Sequence, residues 1–347
     1  MLKCRIMNLV ILAIILIGGA CAVTAGNIYP LPQAYLKENQ LFDELKKIAR
    51  DNPALVRLHI IGFSSTEQIP LYALEIGRPV SKRKVLIIGQ HHGDEVLGVE
   101  FALSYAKELA EKATTDKKVS RILDEFHFWI LPTINPEGFR IVSEGRYRFK
   151  RKTNRDTDNN GKLDLRTDGV DLNRNYPIFW ANDVPSLITG PYYKGPNPAS
   201  EEETRAMINL AQKHRFELAI FYHSSVSGAY SEKIYLAAYD TNVESQQKLY
   251  DDTHKFAQAY ANRLRRDYRR GHYEVPNGNS SRVGNARNYF FHVHQSKAFL
   301  VEIGGINKKG ISVIHPPADK MIKIVDMHLK ALNKTLYESI ESEEKKP

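Results

Sequence analysis

Strand-like and helical segments alternate along the whole chain, and this alternation predicts an α/β fold. Two further observations support it. Val85-Leu86-Ile87-Ile88 is an unbroken apolar run, as expected of a strand covered on both faces, and an amphipathic helical pattern from Val96 to Leu109 follows directly. No stretch rich in Pro, Gly or Ser divides the 347 residues, so a single domain is expected where the length alone would allow two.

Taken in order, Leu41 to Ile48 has helical apolar spacing, and Asn52-Pro53 ends that helix. Val56 to Phe63 and Leu71 to Ile76 read as strands, followed by the apolar strand at Val85 and its helix. Phe126 to Leu131 is the next strand. Ser200 to His214 reads as a helix, with Ser200 as N-cap and Glu203 completing a capping box. Leu218 to Tyr222 is a buried strand, Asn242 to Arg266 a long helix, Phe299-Leu300-Val301 a central strand and Asp319 to Leu336 the closing helix.

Composition removes several classes. A content of 42% hydrophobic residues contradicts disorder, and 21 Gly with 16 Pro are too few for collagen-like architecture. The only cysteines are Cys4 and Cys21, so no disulfide framework can exist in the body of the chain. The net charge of +9 suits weak attraction to an anionic polymer, yet the basic residues are dispersed among acids. Arg148 to Arg155 and Arg263 to Arg270 read as solvated faces, and no nucleic-acid partner is expected.

Residues 1–25 read as an export leader. Lys3 and Arg5 form the charged start, Leu9 to Ile17 the aliphatic run, and Val23-Thr24-Ala25 a small-residue cleavage site. Ile17-Gly18-Gly19-Ala20-Cys21 also fits a loose lipoprotein box that would put a lipid on Cys21. A retained anchor is the third reading, although the run is short of the roughly 20 residues that span a bilayer. All three export the protein, secreted, periplasmic or lipid-anchored, and membrane contact is expected only through such an anchor. The folded domain then occupies 26–340, with 341–347 as a charged tail.

Four segments carry chemistry. Gly89-Gln90-His91-His92-Gly93-Asp94-Glu95 lies at the carboxyl end of the apolar strand, where open α/β sheets bind ligands. His92 and Glu95 can point at one ion such as Zn²⁺, though a lone His-x-x-Glu more often marks a polar loop. His223 ends the Leu218 strand, where it reads either as a third ligand at the same sheet edge or as a core histidine. Glu302 sits in an apolar strand, where a carboxylate is costly unless paired or used; it reads as a salt-bridge partner or as a base beside a metal. In Asp171-Leu172-Asn173-Arg174, Arg174 with Asn173 could clamp a carboxylate, and Asp171 could hold the second nitrogen of a metal-bound histidine.

In this order the pieces resemble the zinc carboxypeptidases of the carboxypeptidase A type, the M14 metallopeptidases, over roughly Tyr35 to Leu336. The landmarks are His92-Gly93-Asp94-Glu95, Asn135-Pro136-Glu137-Gly138-Phe139, Arg151-Lys152-Thr153, Gly169 to Asn175, Tyr222-His223-Ser224 and Phe299 to Glu302. The resemblance implies a mixed, about eight-stranded sheet flanked by helices. It implies one zinc ion held by His92, Glu95 and His223, with Glu302 as general base toward a zinc-activated water and Arg151 stabilising the oxyanion. Asn173 and Arg174 would grip the substrate's terminal carboxylate, Asp171 would orient His92, and Tyr273 would be the mobile tyrosine that closes over substrate. The implied partners are peptide or protein C-termini, met by a monomer.

Two departures from the family pattern stand out. Asp94 replaces an Arg common in the family. Arg287, or else Arg282, falls at the floor of the specificity pocket, which suggests an acidic leaving side chain or the extra carboxylate of a peptidoglycan diamino acid. A cell-wall stem-peptide peptidase is therefore the nearest rival; a non-catalytic peptide-binding module and a zinc deacylase of acyl amino acids are others. Independently, Asp156, Asp158, Asn160, Lys162 and Asp164 follow the spacing of an EF-hand-type calcium loop with Gly161 at position six, although Thr167 replaces the closing Glu. The same loop also reads as an Asx-rich turn that binds nothing.

Overall fold

Four parallel strands form the middle of a seven-stranded mixed sheet, in a computed structural model that describes residues 31–183, 186–267, 269–277 and 280–345. The leader expected at 1–25 lies outside the described residues. In chain order the elements are α1 (Glu38–Asp51), β1 (Val56–Phe63), β2 (Pro70–Ile76), β3 (Arg83–Ile88), α2 (Leu97–Lys112), α3 (Lys117–Glu125), β4 (Phe126–Leu131) and α4 (Pro136–Ser143). There follow α5 (Glu202–Lys213), β5 (Leu218–His223), β6 (Lys233–Leu236), α6 (Glu244–Ala261), α7 (Ala286–His294), β7 (Lys297–Glu302), β8 (Gly305–Ile306), β9 (Ser312–Val313) and α8 (Ala318–Glu344).

The sheet order is β1-β2-β4-β3-β5-β7-β6. Strands β4, β3, β5 and β7 run parallel, while β1, β2 and β6 join antiparallel at the edges. The sheet thus has seven strands rather than about eight; the remaining pair, β8 and β9, forms a separate two-stranded ribbon. Every residue of β5 and the last four of β3 are buried, which explains their continuous apolar sequences. The chain leaves β3 toward β4 on one side and returns to β5 on the other. This makes the carboxyl end of β3 a topological switch point, where a ligand crevice is expected.

Local capping places the helices that border this crevice. Asn135 caps α4 by accepting from Gly138 N at 3.0 Å, with Pro136 at the first helical position. Asn285 caps α7 by accepting from Asn288 N at 2.9 Å, and so sets Arg287 in its first turn. The expected box at Ser200 does not form. Helix α5 begins at Glu202, because Glu203 is drawn away to accept from Ser65 N and Ser65 Oγ, and Ser200 Oγ turns to Glu201.

The closing helix also runs further than its apolar pattern suggests. Residues 341–344, expected in a charged tail, remain helical because Glu343 meets Arg83 at 2.7 Å and Glu344 pairs with Arg121. Helices α3, α4 and α7 have no counterpart in the sequence reading; α7, for example, buries Ala286 through Phe291 and so lacks a polar stripe. Among the described residues, no helix is long and apolar enough to cross a membrane.

Candidate active site

Close backbone approach builds the turn after β3. A Cβ on Gly93 would lie 2.4 Å from the Gly138 carbonyl carbon and 2.7 Å from Lys150 O, so only glycine fits between α4 and the loop carrying Lys150. Asn135 Nδ2 donates to His91 O and Arg151 O, each at 3.1 Å, and Gly93 N donates to Arg151 O at 3.0 Å. Three segments distant in sequence are thereby locked around His92.

The His92, Glu95 and His223 side chains converge, each presenting a donor atom within 4.8 Å of the others. His92 Nδ1 stands 2.9 Å from Glu95 Oε1, and His223 Nδ1 lies 2.8 Å from Glu95 Oε2 and 3.1 Å from His92 Nδ1. Strand register delivers the next member: His223 pairs directly with Glu302 across β5 and β7. All four carboxyl-end positions therefore face one crevice.

The surrounding groups orient these donors. His92 Nε2 donates to Asp171 Oδ1 at 3.0 Å, which turns Nδ1 toward Glu95. Ser224 N donates to Glu95 Oε2 at 3.0 Å. Asn173 Nδ2 lies 3.3 Å from His223 Nε2, and Asn173 Oδ1 accepts from Ala286 N. Arg151 donates to Asp171 Oδ2 through Nε (3.1 Å) and a terminal nitrogen (2.9 Å), and reaches Glu95 Oε1 at 3.4 Å.

Electrostatics point the same way. Burial and Arg151 oppose a charge on His92, yet Glu95 and Asp171 outweigh them and hold it at about 9. Burial would raise Glu95, but His92 and His223 pull it far below the usual carboxylate range. Burial lowers His223 to about 4, leaving a neutral imidazole. Two imidazoles and one ionised carboxylate around a point that favours positive charge suit a borderline-soft divalent ion, and this donor set fits zinc.

A cavity of about 1090 Å³ opens beside this centre, lined by His92, Glu95, Arg151, Asn173, Arg174, His223, Arg287 and Glu302. Burial, and then the charge of Glu95, push Glu302 up to about 8, and its Oε2 has no hydrogen-bond partner among the described residues. Arg287 is only 8% exposed, sits over the Tyr235 ring at 6.0 Å and also leaves Nε unpaired. Burial, reinforced by Arg174, lowers it to about 10. Arg282 is exposed, reaches Tyr239 O and lies outside this cavity.

Two expectations change. Tyr273 is a core residue: it is 3% exposed, its hydroxyl stands 3.2 Å from His328 Nε2 and 3.4 Å from Gly304 O, and it does not line the cavity. In this structure it is packed against His328 of α8 and not beside the cluster. The tyrosines that line the cavity are Tyr147, Tyr192, Tyr230 and Tyr235. Tyr192 was not singled out by the sequence, yet its ring lies 5.4 Å from the Arg151 guanidinium and 5.5 Å from that of Arg174.

The calcium expectation gains no support. Asp164 Oδ1 accepts from Arg166 N and Thr167 N, Asn160 Oδ1 from Lys162 N, and Asp156 from Asn160 N and Gly161 N, so the loop is built of Asx turns. The acid that approaches Asp156 and Asp158 is Asp168, which already accepts from Thr157 and Asp164 N.

A family profile described as zinc carboxypeptidase matches residues 41–331. Rat mast cell carboxypeptidase A is 31% identical over 193 residues, 54% of this chain and 44% of that protein. Mouse carboxypeptidase A6 is 34% identical over 174 residues, 49% of this chain and 38% of that protein. The chain thus spans less than half the length of these curated relatives. The structure of bovine thrombin-activatable fibrinolysis inhibitor, solved in complex with tick carboxypeptidase inhibitor, shares the fold with a TM-score of 0.71 at 21% identity, over 89% of this chain and 98% of that one. With a matched profile over most of its length and a His-Glu-His cluster at the carboxyl ends of its parallel strands, this chain belongs to the zinc carboxypeptidase family.

Proposed function

We propose that the chain is an exported zinc-dependent metallocarboxypeptidase that hydrolyses the last peptide bond of its substrate. The observation that carries this reading is one cavity holding a three-donor cluster, an unpartnered buried carboxylate on Glu302 and the cations Arg151, Arg174 and Arg287. Zinc, held by His92, Glu95 and His223, would supply a Lewis acid and acidify water.

The chain's own residues do the rest. Arg174, beside Asn173, receives the terminal carboxylate and so fixes which bond is presented. Arg151, held rigid by Asp171, donates to the oxygen on which charge develops. Glu302 takes a proton from the attacking water at its free Oε2 and returns it to the leaving amine.

Arg287, buried with a free Nε, supports a preference for a carboxylate on the departing residue. C-terminal Glu and a peptidoglycan diamino acid both offer one, so a cell-wall stem peptide is the second substrate reading. Export rests on the charged start and aliphatic run of residues 1–25.

The test is zinc content together with hydrolysis of peptides ending in Glu, Leu, Lys or diaminopimelate, for wild type and Glu302→Gln. Wild type should bind one zinc and release C-terminal residues, whereas Glu302→Gln should keep zinc and lose activity by roughly 10²- to 10⁴-fold. Zinc binding without cleavage of any peptide would favour a binding module, and absence of zinc binding would remove the ligand assignment.

A further inference from the structure

Tyr192 is 55% exposed, yet it lines the cavity with its ring 5.4 Å from the Arg151 guanidinium and 5.5 Å from that of Arg174. Burial alone does not fix a ring that is more than half open to solvent. Attraction between its π-electrons and two guanidiniums within about 6 Å of the centroid supplies a further hold.

Backbone hydrogen bonds bring the ring to this place. Lys152, next to Arg151, donates from Nζ to Gly190 O at 2.8 Å, and Asp171 N, three residues before Arg174, donates to Tyr193 O at 2.7 Å. The 190–193 segment is thus bonded to both segments that carry the arginines, and Tyr192 falls between its two bonded positions. The arginines themselves are not equally fixed. Arg151 makes two bonds to Asp171, whereas Arg174 donates to the oxygen of its own neighbour, Asn173, at 2.9 Å and stands 3.6 Å from Asp183. Arg174 therefore gains most from an aromatic contact.

Resting on the carboxypeptidase reading, we infer that Tyr192 is a positioning residue: its ring, shared with Arg151, holds the Arg174 guanidinium in the orientation that receives the substrate's terminal carboxylate. A long side chain that must settle into one rotamer on binding costs affinity, and settling it beforehand removes that cost. The ring's electrons do this work, so the hydroxyl is dispensable.

The experiment measures KM and kcat of the zinc-loaded protein on N-acetyl-Ala-Glu, which carries no cation of its own. The proteins are wild type, Tyr192→Leu, Tyr192→Phe, and Tyr192→Phe carrying one, two or three ring fluorines. Fluorine drains the negative face of the ring but keeps its shape and apolar character, so a ring that merely packed against substrate would lose no affinity along the series. Tyr192→Phe should keep KM within about threefold of wild type, and Tyr192→Leu should raise it about three- to tenfold with kcat within about threefold. Log KM should then climb with each added fluorine. A KM indifferent to fluorination, a KM unchanged in Tyr192→Leu, or a loss confined to kcat would overturn the inference. Should no peptide be cleaved, the carboxypeptidase reading falls on its own. Calorimetric Kd of the same compound for the same proteins then replaces KM under the same expectations, and absence of binding to wild type would overturn the inference too.

Discussion

His92, Glu95, His223 and Asp171 are tied to one another and to Ser224 N and Arg151 at 2.8 to 3.4 Å, whereas Glu302 Oε2, Arg287 Nε and Asp94 Oδ1, on residues lining the same cavity, have no hydrogen-bond partner among the described residues. Both regions are buried, so exposure does not explain the difference. A group that must hold an ion needs its orientation settled in advance, and second contacts settle it. A group that must meet a substrate or move a proton has to keep a valence free. Saturation and its absence thus separate the groups that would hold the ion from those proposed to serve selectivity and proton transfer.

Glu95→Gln should have the largest effect, because the Glu95 carboxylate lies 2.9 Å from His92 Nδ1 and 2.8 Å from His223 Nδ1. Zinc content after gel filtration should fall to background; retention of a full equivalent would break the division. Asp171→Asn should weaken zinc by about 10- to 100-fold in a chelator competition, since it loosens His92 without removing a donor. Arg287→Ala should leave zinc affinity unchanged and lower the preference for C-terminal Glu over Leu by about tenfold. Equal selectivity in the two proteins would remove Arg287 from the pocket's chemistry.

The smallest effect concerns pH. In the metal-free protein, burial and the charge of Glu95 hold Glu302 near 8, above its ordinary value. A divalent cation opposes both influences, so the zinc-loaded protein should show an acid limb in kcat/KM below 8. Activity should be present above that apparent pKa and lost as pH falls through it, because the base must be ionised. A limb at or above 8 would mean that the ion's charge does not reach Glu302.

Legibility in the sequence followed locality. The strands at Val85, Phe126, Leu218 and Phe299 were readable because burial on a sheet writes itself into short apolar runs. Helix α7 was not, since it packs aromatic and amide side chains on most of its circumference. The capping box at Ser200 failed for a similar reason: Ser65, 138 residues away from Glu203, competes for the same carboxylate. Tyr273 illustrates the limit most plainly, because its place beside His328 depends on how α8, far along the chain, docks against it.

By itself the sequence determined the α/β class, the His-x-x-Glu pair at the end of an apolar strand, and further histidine and carboxylate candidates at the ends of two others. These are properties of periodicity and spacing, which neighbouring residues impose on one another. Only the tertiary structure decided that the main sheet has seven strands, that Arg287 rather than Arg282 lines the cavity, that the Tyr192 ring lies beside both Arg151 and Arg174, and that Asp94 Oδ1 has no hydrogen-bond partner among the described residues. Each of these turns on which distant segments meet, and whether a buried polar atom is satisfied is decided only where they do.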